Sequence, residues 1–262
     1  MRLHQIRNAT MTIEYGGKYG DKRFLIDPMF AGAGVNNGSD MDMPIVDNPW
    51  PFHDLPISPK DLIKNIDAVI ITHLNTDHFD KFAQDIIPDD MKIFVQDIFD
   101  KNALEKEHFT NIEVIKPEGT VFEGINLYKT NCMHGIRPLV EYFFLANGMR
   151  WEAMGIVFIG DAEPKLYLAG DTLWFEGVKE AIDTYKPDYI IINASCSQTP
   201  QGEPLNMGIE DIKELHEYYP EGKLIASHLD CVSNSTLSRV DLRASEVKDF
   251  IYPPADGEIM VL

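Results

Sequence analysis

The run Thr72-His73-Leu74-Asn75-Thr76-Asp77-His78-Phe79-Asp80 carries two imidazoles and a carboxylate between His73 and His78. Imidazole nitrogen and carboxylate oxygen are the side-chain donors that hold divalent metal ions. The run follows Ala68-Val69-Ile70-Ile71, a segment apolar enough to be a strand buried on both faces. Polar groups crowded at the tip of such a strand lose their water, and a partner must offset that cost. A metal cation is the simplest partner. Its chemistry would be to activate water for attack on an electrophilic carbon or phosphorus.

Three further candidate ligands stand in the same kind of place. His134 follows Leu127-Tyr128-Lys129-Thr130, Asp171 follows Leu166-Tyr167-Leu168-Ala169-Gly170, and His228 follows Leu224-Ile225-Ala226-Ser227. Strand ends at one edge of a layered sheet structure can converge on a single pocket. One histidine after a strand is usually a solvated or capped residue. Four strand tips that each deliver a donor form a much more specific pattern. His4, His53, His108 and His216 lie in terminal, loop or helical contexts and read as surface residues.

The elements that must aim these groups can be read from the pattern of apolar residues. Residues 10–15 and 23–27 flank Gly16-Gly17 and predict a hairpin. Residues 28–59 are rich in Gly, Pro, Asn and Asp, and a loop of that length in a compact domain marks a functional or mobile segment near the site. Ser58-Pro59-Lys60-Asp61 has the form of a helix start. Further strands are expected near 92–96, 112–116, 120–130, 140–146 and 155–161, then at 166–170, 189–193 and 224–227. Helices are expected over 173–185 and 208–219. Strands dominate the first half and strand–helix alternation the second, which fits two sheets flanked by helices. No short-period repeat or Ser/Gly linker divides the chain, so residues 1–262 read as one domain.

Composition narrows the partners. A formal charge of -19 disfavours nucleic-acid backbones and anionic membranes. A small anionic substrate stays compatible, because a bound metal reverses the local sign. No apolar run reaches membrane-spanning length, and Met1-Arg2-Leu3-His4-Gln5 lacks the apolar centre of a signal peptide. The cysteines Cys132, Cys196 and Cys231 are odd in number and far apart, as expected of reduced thiols in a cytoplasmic protein.

The cluster resembles the metallo-β-lactamase superfamily signature His-x-His-x-Asp-His, followed by a distant His, then Asp, then His. The similarity includes Phe24-Leu25-Ile26-Asp27-Pro28, Tyr167-Leu168-Ala169-Gly170-Asp171-Thr172 and Asp256-Gly257-Glu258. Within the superfamily the chain is most similar to the L-ascorbate-6-phosphate lactonase-like hydrolases, through Ala226-Ser227-His228 and Leu237-Ser238-Arg239-Val240-Asp241-Leu242-Arg243. The resemblance implies an α/β fold, a four-layer αββα sandwich with the metal site on the rim between the sheets. It implies one metal at His73, Asn75, His134 and Asp171, and another at Asp77, His78, His228 and the shared Asp171. Asp77 would also orient the attacking water, as the catalytic residue.

Asn75 departs from the signature, which has histidine there. An amide oxygen is a harder and weaker donor than imidazole nitrogen. Three outcomes are open: Asn75 ligates through oxygen, it holds a ligating water, or only the Asp77/His78/His228 site fills. The cofactor is therefore one or two divalent ions, zinc or manganese, with iron compatible. Thr72 and Asp80 are candidates to hold the ligands in place. Arg137, three positions after His134, and Arg239 are candidate clamps for a substrate phosphate or carboxylate, and Trp50, Arg150 and Trp151 are candidates for the pocket border. Asn234 lies where lactonase-like relatives tend to carry histidine. The expected activity is metal-dependent hydrolysis of a small-molecule lactone or phosphorylated sugar-like ester, with a homo-oligomer compatible. The rivals are a phosphodiesterase or nuclease of the same fold, which the acidic charge disfavours, and a non-catalytic metal- or metabolite-binding descendant.

Overall fold

The computed structural model describes residues 1–36, 49–161 and 163–262. Two mixed seven-stranded sheets face each other. The first comprises β1 (Arg2–Arg7), β2 (Thr10–Gly17), β3 (Gly20–Ile26), β4 (Ala68–Ile70), β5 (Ile93–Val95), β6 (Ile112–Val114) and β14 (Ile259–Val261), in the order β14-β1-β2-β3-β4-β5-β6. The second comprises β7 (Thr120–Phe122), β8 (Ile125–Asn131), β9 (Met154–Ile159), β10 (Leu166–Leu168), β11 (Tyr189–Asn193), β12 (Lys223–Ser227) and β13 (Ile251–Tyr252), in the order β13-β12-β11-β10-β9-β8-β7. The described helices are α1 (Pro59–Leu62), α2 (Lys81–Ile86), α3 (Ile98–Lys106), α4 (Glu141–Ala146), α5 (Glu176–Tyr185), α6 (Ile209–Tyr218) and α7 (Arg239–Ala244).

Side-chain alternation along the strands explains the layering. Phe24, Ile26, Ala68 and Ile70 of the first sheet pack with Ile156, Phe158, Leu166, Leu168, Ile191 and Ile225 of the second, forming the core between them. The intervening residues face outward. Leu25, Val69 and Ile93 meet Leu62 of α1, Ala83 of α2 and Leu104 of α3. Tyr167, Ile190, Ile192, Leu224 and Ala226 meet Val178 and Ile182 of α5, Ile212 and Leu215 of α6, and Leu242 of α7. Both faces of the central strands are thus buried, so β4, β10, β11 and β12 read as unbroken apolar runs. The result is the expected four-layer α/β arrangement.

Two elements differ from the sequence-based expectation. Residues 120–130 do not form one strand: Glu123 and Gly124 adopt positive φ (52° and 85°) and fold the segment into the β7–β8 hairpin. Residues 140–146 are helical, not a strand. Their aromatic content suggests β structure, but Val140, Phe143 and Phe144 recur at helical spacing and pack with Leu205 as a small separate cluster. Of the long loop expected over 28–59, residues 37–48 lie outside the described residues. Trp50 at its end packs with Met29, Cys231 and Val232.

Candidate metal centre

The strand ends at one rim of the sandwich deliver the predicted donors. β4 leads into Thr72 and the His73–His78 segment, β8 leads toward His134, β10 ends at Leu168, three residues before Asp171, and β12 ends at Ser227, just before His228. The chain turns sharply to do this. Gly170 adopts φ +72°, and a side chain there would meet the Met154 carbonyl at 2.6 Å. Asn8, Asp27 and His228 adopt positive φ without being glycine (54°, 42° and 62°), a costly conformation that the surrounding hydrogen bonds hold.

The donors meet in two groups. His73, His134 and Asp171 offer ligand atoms lying within 4.8 Å of one another, and so do Asp77, His78 and His228. Asp171 joins the groups. Its Oδ2 lies 3.4 Å from His134 Nε2, 3.5 Å from His78 Nε2 and 4.0 Å from His228 Nε2. Asp77 Oδ2 lies 3.0 Å from His228 Nε2 and 3.6 Å from His78 Nε2.

Partners outside the groups decide which ring nitrogens point inward. Asp27 is the hub. Its Oδ1 accepts from the Thr72 backbone N–H at 2.7 Å, and its Oδ2 accepts from Thr72 Oγ1 at 2.7 Å and from His78 Nδ1 at 2.8 Å. His73 Nδ1 donates to Thr72 Oγ1 at 3.1 Å, and His228 Nδ1 donates to Ser195 Oγ at 3.2 Å. Each of these histidines therefore carries its proton on Nδ1 and presents the Nε2 lone pair to the centre. Asp171 is oriented in the same way: its Oδ1 accepts from Asn193 Nδ2 at 2.7 Å and faces Asn206 Nδ2 at 3.5 Å, leaving Oδ2 for the centre.

This donor set fits a divalent cation. His78 Nε2 and His228 Nε2 stand 3.1 Å apart with their protons committed elsewhere, an arrangement that needs a positive charge beside it. His73 Nε2 is buried with no hydrogen-bond partner among the described residues. The electrostatics agree. Burial alone would push the His78 imidazolium down, but Asp77, Asp171 and Asp27 outweigh it and hold His78 well above the usual histidine range. Burial disfavours ionisation of Asp77 and Asp171, yet the histidines around them hold both carboxyls below the usual range. Burial, reinforced by His78, keeps His73 well below the usual histidine range, and burial likewise lowers His134. Ionised carboxylates at Asp77 and Asp171 and neutral imidazoles at His73 and His134 are the protonation states that metal ligation requires, and the negative field that favours a proton on His78 favours a metal cation at its Nε2 in the proton's place.

Asn75 stands beside these donors. It is buried and lines the adjoining cavity. The cavity measures about 570 Å³ including its opening. Its wall is mostly apolar, with Trp50, Phe143, Phe144, Met149, Leu205 and Val232, and its polar members include Asp77, His134, Asp171, Ser197 and Asn234. Trp50 thus sits where it was expected.

The candidate arginines do not reach this cavity. Arg239 is buried against main chain and carboxylates: it donates to Asp230 Oδ2 at 2.9 Å, to the Pro254 carbonyl at 2.6 Å, and to Asp256. Arg137 stacks over the Trp151 ring at 3.5 Å and lies 3.9 Å from Glu152, in a neighbouring groove on the far side of His134. Arg150 pairs with Asp97 and Asp100. Asp80 does not support a ligand: its carboxylate caps α2 at the Ala83 N–H (2.8 Å) and holds the Ala31 N–H (2.6 Å). Asp27, Asn193, Ser195 and Asn206 were missed as ligand supports. Their sequence signals were that Asp27 and Asn193 stand at the ends of apolar strands and that Asp27 falls in the Phe24–Pro28 stretch that resembles the superfamily.

A two-sheet sandwich with such a rim cluster defines a metal-dependent hydrolase of the metallo-β-lactamase fold. The chain belongs to the beta-lactamase superfamily, whose domain model matches residues 22–229. Over 98% of both chains it is 38% identical to the UPF0173 protein YddR of Bacillus subtilis (strain 168). Its fold is similar to the crystal structure of isothiocyanate hydrolase from Delia radicum gut bacteria, with 35% identity, TM-score 0.90, and 100% and 99% of the two chains covered. It is equally similar to a possible metal-dependent hydrolase from Veillonella parvula DSM 2008, with 32% identity, TM-score 0.90, and the same coverage. Among the described residues, no helix is long and apolar enough to cross a membrane.

Proposed function

We propose that this hydrolase acts on a small, uncharged electrophile carrying an apolar substituent, and that the substrate class is the isothiocyanates. One observation carries this reading. The cavity beside the metal ligands is walled by Trp50, Phe143, Phe144, Met149, Leu205 and Val232, and among the described residues no arginine or lysine lines it. Such a wall favours an apolar group and offers a phosphate or carboxylate no cationic side chain among the described residues, only the metal itself. The relative described as an isothiocyanate hydrolase, similar over the full length, supports the choice of electrophile. An uncharged lactone would meet the same wall, so the lactone half of the expected activity stays compatible. The phosphorylated ester is disfavoured because Arg137 and Arg239 point their charge elsewhere.

A divalent metal held by His78, His228, Asp77 and Asp171, with a second at His73, His134, Asp171 and Asn75, would supply Lewis acidity and lower the pKa of a bound water. The protein's own groups do the rest. Asp77, ionised and on the cavity wall, can accept a hydrogen bond from the attacking water and aim its oxygen at the substrate carbon. Trp50 and Phe144 hold the apolar substituent and exclude bulk water. Water adds across the C=N bond of R–N=C=S: oxygen bonds to carbon and one proton passes to nitrogen, giving R–NH–C(=S)–OH, and the remaining hydroxyl proton then shifts to sulfur, giving R–NH–C(=O)–SH. Cleavage of the C–N bond, with transfer of the thiol proton to nitrogen, then releases R–NH2 and O=C=S.

The test is product analysis with 2-phenylethyl isothiocyanate, 2-phenylethyl phosphate and γ-butyrolactone on the metal-loaded protein. The isothiocyanate should yield 2-phenylethylamine and carbonyl sulfide in equal amounts. Turnover of the phosphate ester with the isothiocyanate left intact would refute the reading.

A further inference from the structure

Hydrogen bonds around Ser195 have a fixed direction that reaches the cavity wall. Asn206 Oδ1 can only accept, and it takes the Ser195 hydroxyl at 3.1 Å and the Ser197 backbone N–H at 2.9 Å. A serine hydroxyl has a single hydrogen. With that of Ser195 committed to Asn206, Ser195 Oγ can only accept from its remaining neighbours, His228 Nδ1 at 3.2 Å and Ser197 Oγ at 2.8 Å. The Ser197 hydrogen is thereby spent on Ser195. The Ser197 main chain is also committed, since its carbonyl accepts from the Leu205 N–H at 2.7 Å. Yet Ser197, which is buried, lines the cavity. What it has left to offer there is the lone-pair side of Oγ.

We propose that Ser197 determines specificity as a fixed hydrogen-bond acceptor on the cavity wall, and that it takes an N–H of the bound species. The choice of an N–H rests on the proposed isothiocyanate substrate. An isothiocyanate has no N–H. One appears only after water has added, on the nitrogen of R–NH–C(=O)–SH. An acceptor placed to meet it is complementary to the adduct and not to the substrate, which is how binding accelerates a reaction. Ser197 also belongs to the network that orients both His228 and Asp171, so the acceptor is held in register with the metal ligands.

The experiment compares two ligands of one shape by calorimetric titration of the metal-loaded protein. N-(2-phenylethyl)acetamide carries an N–H where 5-phenylpentan-2-one carries a CH2. The ratio of their affinities in Ser197→Ala should shift about three- to tenfold toward the ketone relative to wild type. Ser197→Cys, whose sulfur is a weak acceptor, should shift the same way. A ratio unchanged from wild type in both variants would overturn the proposal. That includes the case of a variant that weakens both ligands alike through disturbed packing. The result is separable from the substrate reading. A responsive ratio in a protein that turns over no isothiocyanate keeps the acceptor and removes the substrate. Turnover with an unresponsive ratio does the reverse.

Discussion

His78 Nδ1 and Asp27 Oδ2, 51 residues apart in sequence, lie 2.8 Å from each other in the core of the site. The same carboxylate holds the hydroxyl and the backbone N–H of Thr72, and Thr72 in turn holds His73. One side chain from the end of β3 therefore orients a ligand of each proposed metal position.

Removing that carboxylate should weaken the centre without removing a ligand. Asp27→Ala is expected to lower metal affinity roughly 10- to 100-fold, the usual cost of losing such a support. Competition of the apo protein against a chromophoric chelator measures it. An affinity equal to wild type would show that Asp27 does not set the ligand orientation.

Asn75 should limit the His73/His134/Asp171 position. Asn75→His exchanges a weak oxygen donor for imidazole, so zinc retained after dialysis should rise toward two ions per chain. Elemental analysis by mass spectrometry reports the ratio directly. The same stoichiometry before and after would remove Asn75 from the ligand set.

The arginines should separate structure from function. Arg239 is buried between Asp230 and Asp256, so Arg239→Ala leaves two carboxylates uncompensated and should cost about 3 kcal/mol of unfolding free energy. Arg137 is half exposed and outside the cavity, so Arg137→Ala should leave kcat/KM within about twofold, the effect of a surface charge change of under 0.5 kcal/mol. Denaturant unfolding and initial rates distinguish the two. A large loss of activity in Arg137→Ala with normal stability would restore it as a substrate contact.

Asp97 should confer a stability that acid removes. Burial works against its charge, but the Arg150 side chain and the N–H groups of Asp100 and Phe99 outweigh that and hold its carboxyl below the usual range. A depressed pKa stabilises the fold above the unfolded value near 4 and loses that contribution as pH falls through the folded one. Asp97 also caps α3, so Asp97→Ala should cost about 1–2 kcal/mol at pH 7. Thermal melts should show the gap from wild type narrowing below pH 4. A gap independent of pH would mean the loss comes from packing alone.

The sequence disclosed the layers and the ligands for a common reason. β4, β10, β11 and β12 are buried on both faces, so a polar residue just beyond each one stands out. His73, His78, Asp171 and His228 were legible for that reason, and the signature spacing supplied their grouping. Asp27 and Asn193 sit at strand ends too, but nothing in one sequence marks them as partners of His78 and Asp171, because those pairings are long-range. Ser195 and Asn206 occupy irregular backbone with no periodicity to read. Helix α4 was missed because Tyr142, Phe143 and Phe144 favour β structure locally, while burial of Phe143 and Phe144 against Leu205 decides the outcome. The arginines were overvalued because a positive charge near a ligand in sequence need not face the same side of the fold.

The most direct test of the central claim is anomalous diffraction at the zinc and manganese edges from crystals grown with each metal. A peak enclosed by Asp77, His78, Asp171 and His228, at about 2.0–2.2 Å from the ligand atoms, is the predicted result. Metal-supplemented crystals with no anomalous peak among these four side chains would contradict the account.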